Sequence, residues 1–537
     1  MQHILLTLAL ALLPTAPAQD PAPQPPPADR AEGQAEADAA SAEGAVEGEQ
    51  ASPTILPLAP SEAGRAYEPD GPSTVITFAD LDPVLLDRHA ARPEGQDVLT
   101  RLLNGAILRA LAAEQGVVIP QKTVDARIAE IDQKLKSQGF AGGIAEQLVE
   151  NDVDPVIFRD SMELSLMQEE LTRLSLGLPE GERPGVGPQN AWMEAALAAR
   201  TTELRNDPFP TAPSDAVAIS DDVVVTLAAF QEHLRDELPR PFVEQAITQL
   251  VLQKRLQAQA GAIEPAVWEA AVQAELDRRR ERHEANPETM GVPYEQLLDA
   301  QGLSVETLRR DPAVVVTALT SVLSWRQSEA AAAAAGVERP DAGGNLEAYR
   351  DAGRRELYLA EQELFDGFFG EQLFLTSCVL QTKDVPDETV ARSTQDGLDY
   401  LTRLGAGIPD REGFELIVEK ISDDAQAAQT KGRLGWVGRA GGNMPAEIVE
   451  LAFEHWDEHG EPGVAGPIEI PGGVALFWVG PHEPAPEWDE LSPAIQAELQ
   501  ARILNEALPE GGIHIFRDPP PQAGPAGTPI EDPAEAE

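Results

Sequence analysis

One pattern occurs twice along this chain, and a chain that repeats itself over such a length is constrained to fold as related units. Val75-Ile76-Thr77-Phe78-Ala79-Asp80-Leu81 returns as Val224-Val225-Thr226-Leu227-Ala228-Ala229-Phe230, each a short strand running into a helix. Leu102, Leu103, Ile107, Leu108 and Leu111 then form a helical stripe that ends at Gly116, and Leu250, Val251, Leu252 and Leu256 form another that ends at Gly261. Ile119-Pro120 and Ile263-Glu264-Pro265 open the next helix, where proline suits a first turn whose N–H has no partner in any case. Glu146-Gln147-Leu148 answers Glu295-Gln296-Leu297. Asp154-Pro155-Val156-Ile157-Phe158-Arg159 answers Ser304-Val305-Glu306-Thr307-Leu308-Arg309, each led by a side chain that can cap a helix. The separations at Thr77/Thr226, Gly116/Gly261 and Arg159/Arg309 are 149, 145 and 150 residues. Spacing so nearly constant over a whole unit implies duplication.

At 537 residues the chain is too long for one hydrophobic core, and about three or four domains are expected. A net charge of −51 repels nucleic-acid phosphate and anionic lipid, so neither is an expected partner, and the excess acid serves solubility. Ile4 to Leu13 is an apolar run too short to span a bilayer, followed by Ala16-Pro17-Ala18 and polar Gln19. That pattern predicts a secretory signal peptide over 1–18, no transmembrane segment, and an exported, periplasmic or otherwise extracytoplasmic protein. No Cys follows the cleavage site, so a lipoprotein anchor is not expected. Residues 19–72 are rich in Pro, Ala, Glu and Gly and poor in aromatics, so they are expected to form a disordered acidic tether; 519–537 reads the same way. Cys378 is the single cysteine, so no intrachain disulfide can form, and its β-branched neighbourhood predicts a buried strand thiol.

A second segment carries more chemistry. Phe414, Ile417, Val418 and Ile421 keep a helical period and run into a polar turn, Ser422-Asp423-Asp424. Gly432-Arg433-Leu434-Gly435-Trp436 reads as a glycine-punctuated strand, followed by Met444, a helical run to Phe453, a Gly-Glu-Pro turn and a closing hairpin that ends near Val479. That order resembles the parvulin-type (PpiC-like) peptidyl-prolyl isomerase domain. The strand, long helix, helix and loop of each repeat, over Ser73 to Thr172 and Asp221 to Ser324, are similar to the helical N-terminal module of SurA-like periplasmic chaperones.

Together these resemblances imply a multidomain, mainly α protein with an α+β parvulin-like domain. Two helical chaperone modules are expected at 73–175 and 216–330, with a linker and short helix (Asn190 to Leu204) at 176–215. A connecting helix is expected at 345–376, the parvulin-like domain at 377–482, and a terminal helix and strand at 483–518. Families with this layout return the C-terminal strand, here Ile513-His514-Ile515-Phe516, to the N-terminal module, so it is expected beside Val75 to Phe78 or Val223 to Leu227. The implied function is that of an exported folding chaperone with a parvulin-type peptidyl-prolyl isomerase domain, whose partners are unfolded or partly folded exported polypeptides, proline-containing ones among them; its isomerase activity is either retained through Asp424 and neighbouring backbone groups or reduced or lost. An envelope scaffold with a non-catalytic parvulin fold is the alternative.

Rotation about an X-Pro bond faces a barrier of about 18–20 kcal/mol. A catalyst breaks no bond there: it holds the proline in an apolar cup and favours the twisted amide over the planar one. Parvulins resemble such a device, with an apolar pocket, a polar floor of two histidines and a Cys or Asp near the carbonyl. Carried over residue by residue, the resemblance implies that Leu434, Met444, Ile448 and Phe453 line the substrate pocket and that Asp424 stands beside the reacting carbonyl. The two histidine positions fall on Cys378, in Cys378-Val379-Leu380-Gln381, and on Ala475, in Gly473-Val474-Ala475-Leu476-Phe477. Arg433 replaces the usual Asp of the G-D-L-G strand. The expected consequence is peptide capture with weak amide twisting.

No cofactor and no metal are expected. His455 and His459 have the i, i+4 spacing of two metal ligands, but they are expected in a loop over 454–460 with no Cys partner. Gly432, Gly435 and Gly438 lack the strand-to-helix frame of a nucleotide loop. Arg278-Arg279-Arg280-Glu281-Arg282 reads as a solvated helix face, and no nucleophile, base and orienter for hydrolysis stand together. With no ATP site in the sequence, polypeptide binding is expected to be passive. Oligomeric state is left open.

Overall fold

The computed structural model describes residues 57–67, 73–151, 153–205, 212, 214–289, 291–341, 344–382, 392–440 and 444–518. The expected signal peptide, most of the expected tether and the expected tail lie outside those residues. Helix dominates the described chain, with three small antiparallel sheets. Among the described residues no helix is long and apolar enough to cross a membrane.

The duplication is visible down to strand register. In the first copy β1 (Glu62–Ala66) and β2 (Thr74–Thr77) lead into α1 (Phe78–His89), α2 (Pro93–Gln115), α3 (Gln121–Ser137), α4 (Gly143–Glu150) and α5 (Pro155–Leu176). Helix α6 (Val186–Ala198) and strand β3 (Thr202–Leu204) follow. The second copy has β4 (Ala216–Ser220), β5 (Val223–Thr226), α7 (Leu227–Glu237), α8 (Arg240–Ala260), α9 (Pro265–Ala285), α10 (Tyr294–Ala300), α11 (Val305–Arg310) and α12 (Pro312–Ala334). Glu62 opposes Thr77, then a bulge brings Gly64 opposite Ile76; Ala216 opposes Thr226, then a bulge brings Ala218 opposite Val225. Thr77 caps α1 through the Asp80 N–H while the Asp80 carboxylate accepts the Thr77 N–H, a reciprocal capping box. Thr226 caps α7 through the Ala229 N–H, and with alanine there the return bond is missing.

The copies exchange their strands. β1 and β2 lie on α8 of the second copy, and β4 and β5 lie on α2 of the first. One core therefore draws Ile76, Leu81, Leu99 and Leu103 from the first copy and Val217, Phe230, Leu234 and Ile247 from the second. Each such side chain taken fully from water contributes about 1.5–3 kcal/mol. A Cβ at Gly64 would stand 2.7 Å from Ile247 Cγ2, so glycine is what lets the strand lie flat on α8. Lys254 of α8 reaches across to donate to the Val75 carbonyl at 3.0 Å and the Asp80 carboxylate at 2.8 Å.

Several expectations change here. Strand β1 falls inside the segment expected to be a tether. Its alanines Ala63 and Ala66 are fully buried beside Gly64, a small-residue strand that a count of aromatics overlooks. The C-terminal strand β10 (Ile513–Ile515) does join the sheet of β2, but pairs with β1, which separates the two. Its register, Ile515 on Gly64, matches that of β3, Leu204 on Ala218, so the two third strands are equivalent. The stretch expected as one short helix from Asn190 to Leu204 divides into α6 and β3. Where the first copy has continuous α5, the second is broken at Asp311-Pro312: the Asp311 carboxylate caps Ala313 N at 2.9 Å and also receives Arg88 of α1.

Beyond α12 the connecting helix is broken at Glu361 into α13 (Leu346–Ala360) and α14 (Gln362–Phe369). The sheet domain then runs β6 (Gln372–Gln381), α15 (Thr394–Gly405), α16 (Arg411–Ile421), a short α17 (Ala427–Thr430), β7 (Arg433–Gly438), α18 (Ala446–His459), β8 (Gly463–Ile470) and β9 (Gly473–Glu483). The helix, turn, strand, helix and hairpin expected over 414–479 are all present in that order. Strand order is β7-β6-β9-β8, with α15 and α16 on one face and α18 on the other. Helix α19 (Trp488–Ala507) returns along α12 and α13, where Gln500 donates to Ser321 at 2.9 Å and buried Arg354 to Ser492 at 2.8 Å.

Candidate functional site

Strand alternation decides which side chains can meet under α18. On β9, Ala475, Phe477 and Val479 face α18, while Val474, Leu476 and Trp478 face α15 and α16. On β6 the residue opposite Ala475 is Val379, and it packs with the α18 cluster. Cys378 is opposite Leu476 and points the other way, fully buried among Leu401, Phe414 and Val418. The expectation that Cys378 occupies a floor position is therefore corrected by one residue: Val379 shares a face with Ala475, and a one-residue slip in a strand sends a side chain to the opposite face. Burial pushes the Cys378 thiol up to about 12, with the Asp423 carboxylate adding to the rise.

The pocket candidates divide. Met444, Ile448, Phe453 and Ala475 are brought together with Leu373, Leu375, Val437 and Phe477 in one cluster. Ile448 and Phe453 are buried within it, and Met444 packs at its margin. Leu434 is not part of that cluster: it sits on β7 where the pairing with β6 slips between Arg433 and Gly435, and it is 41% exposed. Phe453 is held by Arg439, whose guanidinium lies 4.4 Å from its ring centroid and pairs with Glu371 and with Asp457 at 2.8 Å.

The Ser422-Asp423-Asp424 turn is stitched to β6 at this floor. The Val379 N–H donates to Ser422 Oγ at 3.2 Å, and the Asp423 N–H donates to the Val379 carbonyl at 2.8 Å. Asp423 Oδ2 accepts from the Gln381 N–H and from Arg392, both at 2.9 Å. Asp424 is exposed, and its Oδ1 accepts the Gln426 N–H at 3.0 Å, so the candidate carboxylate also caps its own turn. Asp423 and Arg392, which sequence reasoning passed over, are the charged pair nearest the Val379 backbone in these bonds. The first Asp of the turn and the strand alternation were the available signals.

Arg433, at the position where Asp was expected, makes a bidentate pair with Glu415 at 3.0 Å for each bond. Arg433 and then Arg411 hold the Glu415 carboxyl below its ordinary value. His455 and His459 lie within α18 rather than in a loop, because the helix continues to His459 before Gly460 ends it in a left-handed conformation. Their rings stack at 4.5 Å, and burial lowers His455, whose Nε2 has no hydrogen-bond partner among the described residues. Among the described residues no group of three or more His, Cys, Asp or Glu is placed to hold a metal ion.

No protein-family model matches the chain, and no curated protein matches it. Among solved structures it is similar to a peptidylprolyl isomerase (PrsA) from Bacillus cereus, at 14% identity over 55% of this chain and 87% of that one, with a TM-score of 0.22. It is similar to PrsA from Bacillus anthracis at 12% identity, over 49% and 95%, with a TM-score of 0.22. Foldase protein PrsA from Streptococcus pneumoniae matches at 15% identity, over 53% and 90%, with a TM-score of 0.19. Superpositions at that level carry no weight by themselves.

Proposed function

We propose that this protein is an exported folding chaperone of the SurA-like kind, whose parvulin-type domain captures unfolded or proline-containing polypeptides and turns them over slowly or not at all. The observation that carries this reading is the pairing of Val379 with Ala475 beneath Met444 and Ile448. Ala475 is fully buried there, and the floor offers proline the half-buried surfaces of Val379 and Met444, worth about 25 cal/mol for each Å² covered. It offers no side-chain donor to a twisted amide, and preorganised polar groups are what a catalytic site supplies in the transition state. Asp424, exposed at the edge of the same turn, is the candidate for any residual catalysis.

The test is a pair of assays on the full chain. Aggregation of an unrelated unfolded client should fall in proportion to the amount of protein added. A proline-limited refolding reaction should be accelerated little by catalytic amounts. Failure to suppress aggregation at stoichiometric amounts sinks the chaperone reading, and strong acceleration that Asp424→Ala abolishes makes the protein an isomerase instead.

A further inference from the structure

The duplication provides an internal control, because one groove occurs twice with different occupants. In the second copy Leu252 and Leu256 of α8 and Val315 and Leu319 of α12 form an apolar trough with Ile263 at its end. Helix α19 fills it with Ile503, Leu504 and Ala507, and Ile503 and Ala507 are buried. In the first copy Leu108 and Ala112 of α2 and Met167 and Leu171 of α5 form the corresponding trough, with Ile119 at its end. The residue pairs have the same i, i+4 spacing in each helix.

The first trough has a much looser cover. Helix α6 lays Trp192 and Met193 on it, yet none of the thirteen residues of α6 is buried. Gln168 of α5 donates to the Gln189 carbonyl of α6 at 3.1 Å. Helix α6 is reached through a loop in which Gly177 and Gly181 take left-handed conformations. Val118, just after α2, and Leu174 and Leu176, at the end of α5, are between 42% and 81% exposed, so apolar surface stays open at the ends of the two helices that form the trough.

We propose that α6 is a displaceable plug, and that the α2–α5 trough binds an amphipathic helical segment of an unfolded polypeptide, with aliphatic side chains three to four residues apart. The occupant's chemistry is read from α19, which the chain itself seats in the equivalent trough. The proposal rests on the chaperone reading only for the source of that segment.

The probe is a fluorescently labelled peptide with the sequence of residues 488–507, titrated against the full chain by anisotropy. Trp192→Ala with Met193→Ala, both at part-buried positions, should bind it about tenfold more tightly, since a self-occupied site lowers apparent affinity by the fraction open. Gln168→Cys with Gln189→Cys, joined by a short bis-maleimide, should lose the binding. The same peptide carrying Ile503→Asp and Ala507→Asp should not bind. Equal affinity in the wild type, the weakened-plug variant and the cross-linked chain overturns the proposal. Aggregation assays separate the two readings. If the cross-linked chain still protects clients as well as wild type, the chaperone stands and the groove falls. If the weakened-plug variant binds peptide but no form protects clients, the groove stands and the chaperone reading falls.

Discussion

Val379 and Ala475 face one another across β6 and β9, on the face that α18 covers, while Cys378 points to the opposite side of the same sheet. The relationship has a direct experimental consequence. Val379→His with Ala475→His should place two imidazoles on one floor and raise the rate of proline-limited refolding, at a packing cost of about 1–3 kcal/mol because Ala475 is fully buried. Cys378→His should bury an imidazole among Leu401, Phe414 and Val418 and destabilise the domain without any gain in rate. Refolding kinetics and a denaturant melt on both variants check this. A faster rate from Cys378→His alone would show that the face assignment is wrong.

The thiol itself should be inert. Its acidity is suppressed, with burial pushing it up to about 12, so almost none is thiolate at pH 8. Alkylation by iodoacetamide, followed by mass spectrometry, should proceed only in denaturant. Rapid labelling of the native chain would contradict the burial.

These cases show what could be read before the fold was known. The duplication was legible because both copies keep Thr77 and Thr226 as helix caps and the same apolar stripes, which are local signals. The exchange of strands between the copies was not, because Gly64 against Ile247 is a contact between distant segments with no periodic signature. At the site, Met444, Ile448, Phe453 and Ala475 did converge, while Cys378 was placed one residue out. Bulges around Leu375 offset the count along β6, and bulges are where simple alternation fails. The acidic run around His455 and His459 reads as a loop and masks a helix that Phe453 and Trp456 anchor.

Stability should fall between mildly acidic and neutral pH. Asp82 of α1 lies between the copies, 3.3 Å from Arg235, with Oδ1 buried and without a hydrogen-bond partner among the described residues. Burial raises its carboxyl from 3.8 to about 6, with Arg235 opposing and Asp236 assisting. Burial raises Asp236 too, against the opposing charges of Arg235, Arg517 and His233 and with the assistance of Glu232. A carboxyl raised in the folded state binds more protons there than when unfolded, so stability is greatest below its unfolded value and is lost as pH rises through about 6. His233 is raised by its bond to Glu237, and its contribution is likewise present below 6.5 and lost as pH rises through its folded value. Glu237 opposes this trend only in acid: burial pushes it up, but His233 and Arg101 hold it below 4.5. The melting temperature should therefore be higher near pH 5 than near pH 7.5, and Asp82→Asn should raise the value at pH 7.5 and flatten the profile. An unchanged profile in that variant would remove Asp82 from the account.

The C-terminal strand should be essential to the helical unit although it arrives from the far side of the sheet domain. Ile515 is 3% exposed in the shared core, and the ring of Phe516 meets that of Phe78 edge-on at 5.3 Å. Arg517 donates to the Leu238 carbonyl at 2.8 Å, which ties the strand to the end of α7 in the second copy. Ile515→Ala should cost about 2–5 kcal/mol, the range for emptying a buried aliphatic position. Truncation after Leu508 should cost more, because it also leaves β1 as an unpaired edge over Gly64 to Ala66, and open edges promote association. Thermal melts and light scattering on the two forms check both effects. A truncated chain that melts like wild type and stays monodisperse would mean that β10 closes the sheet without supporting it.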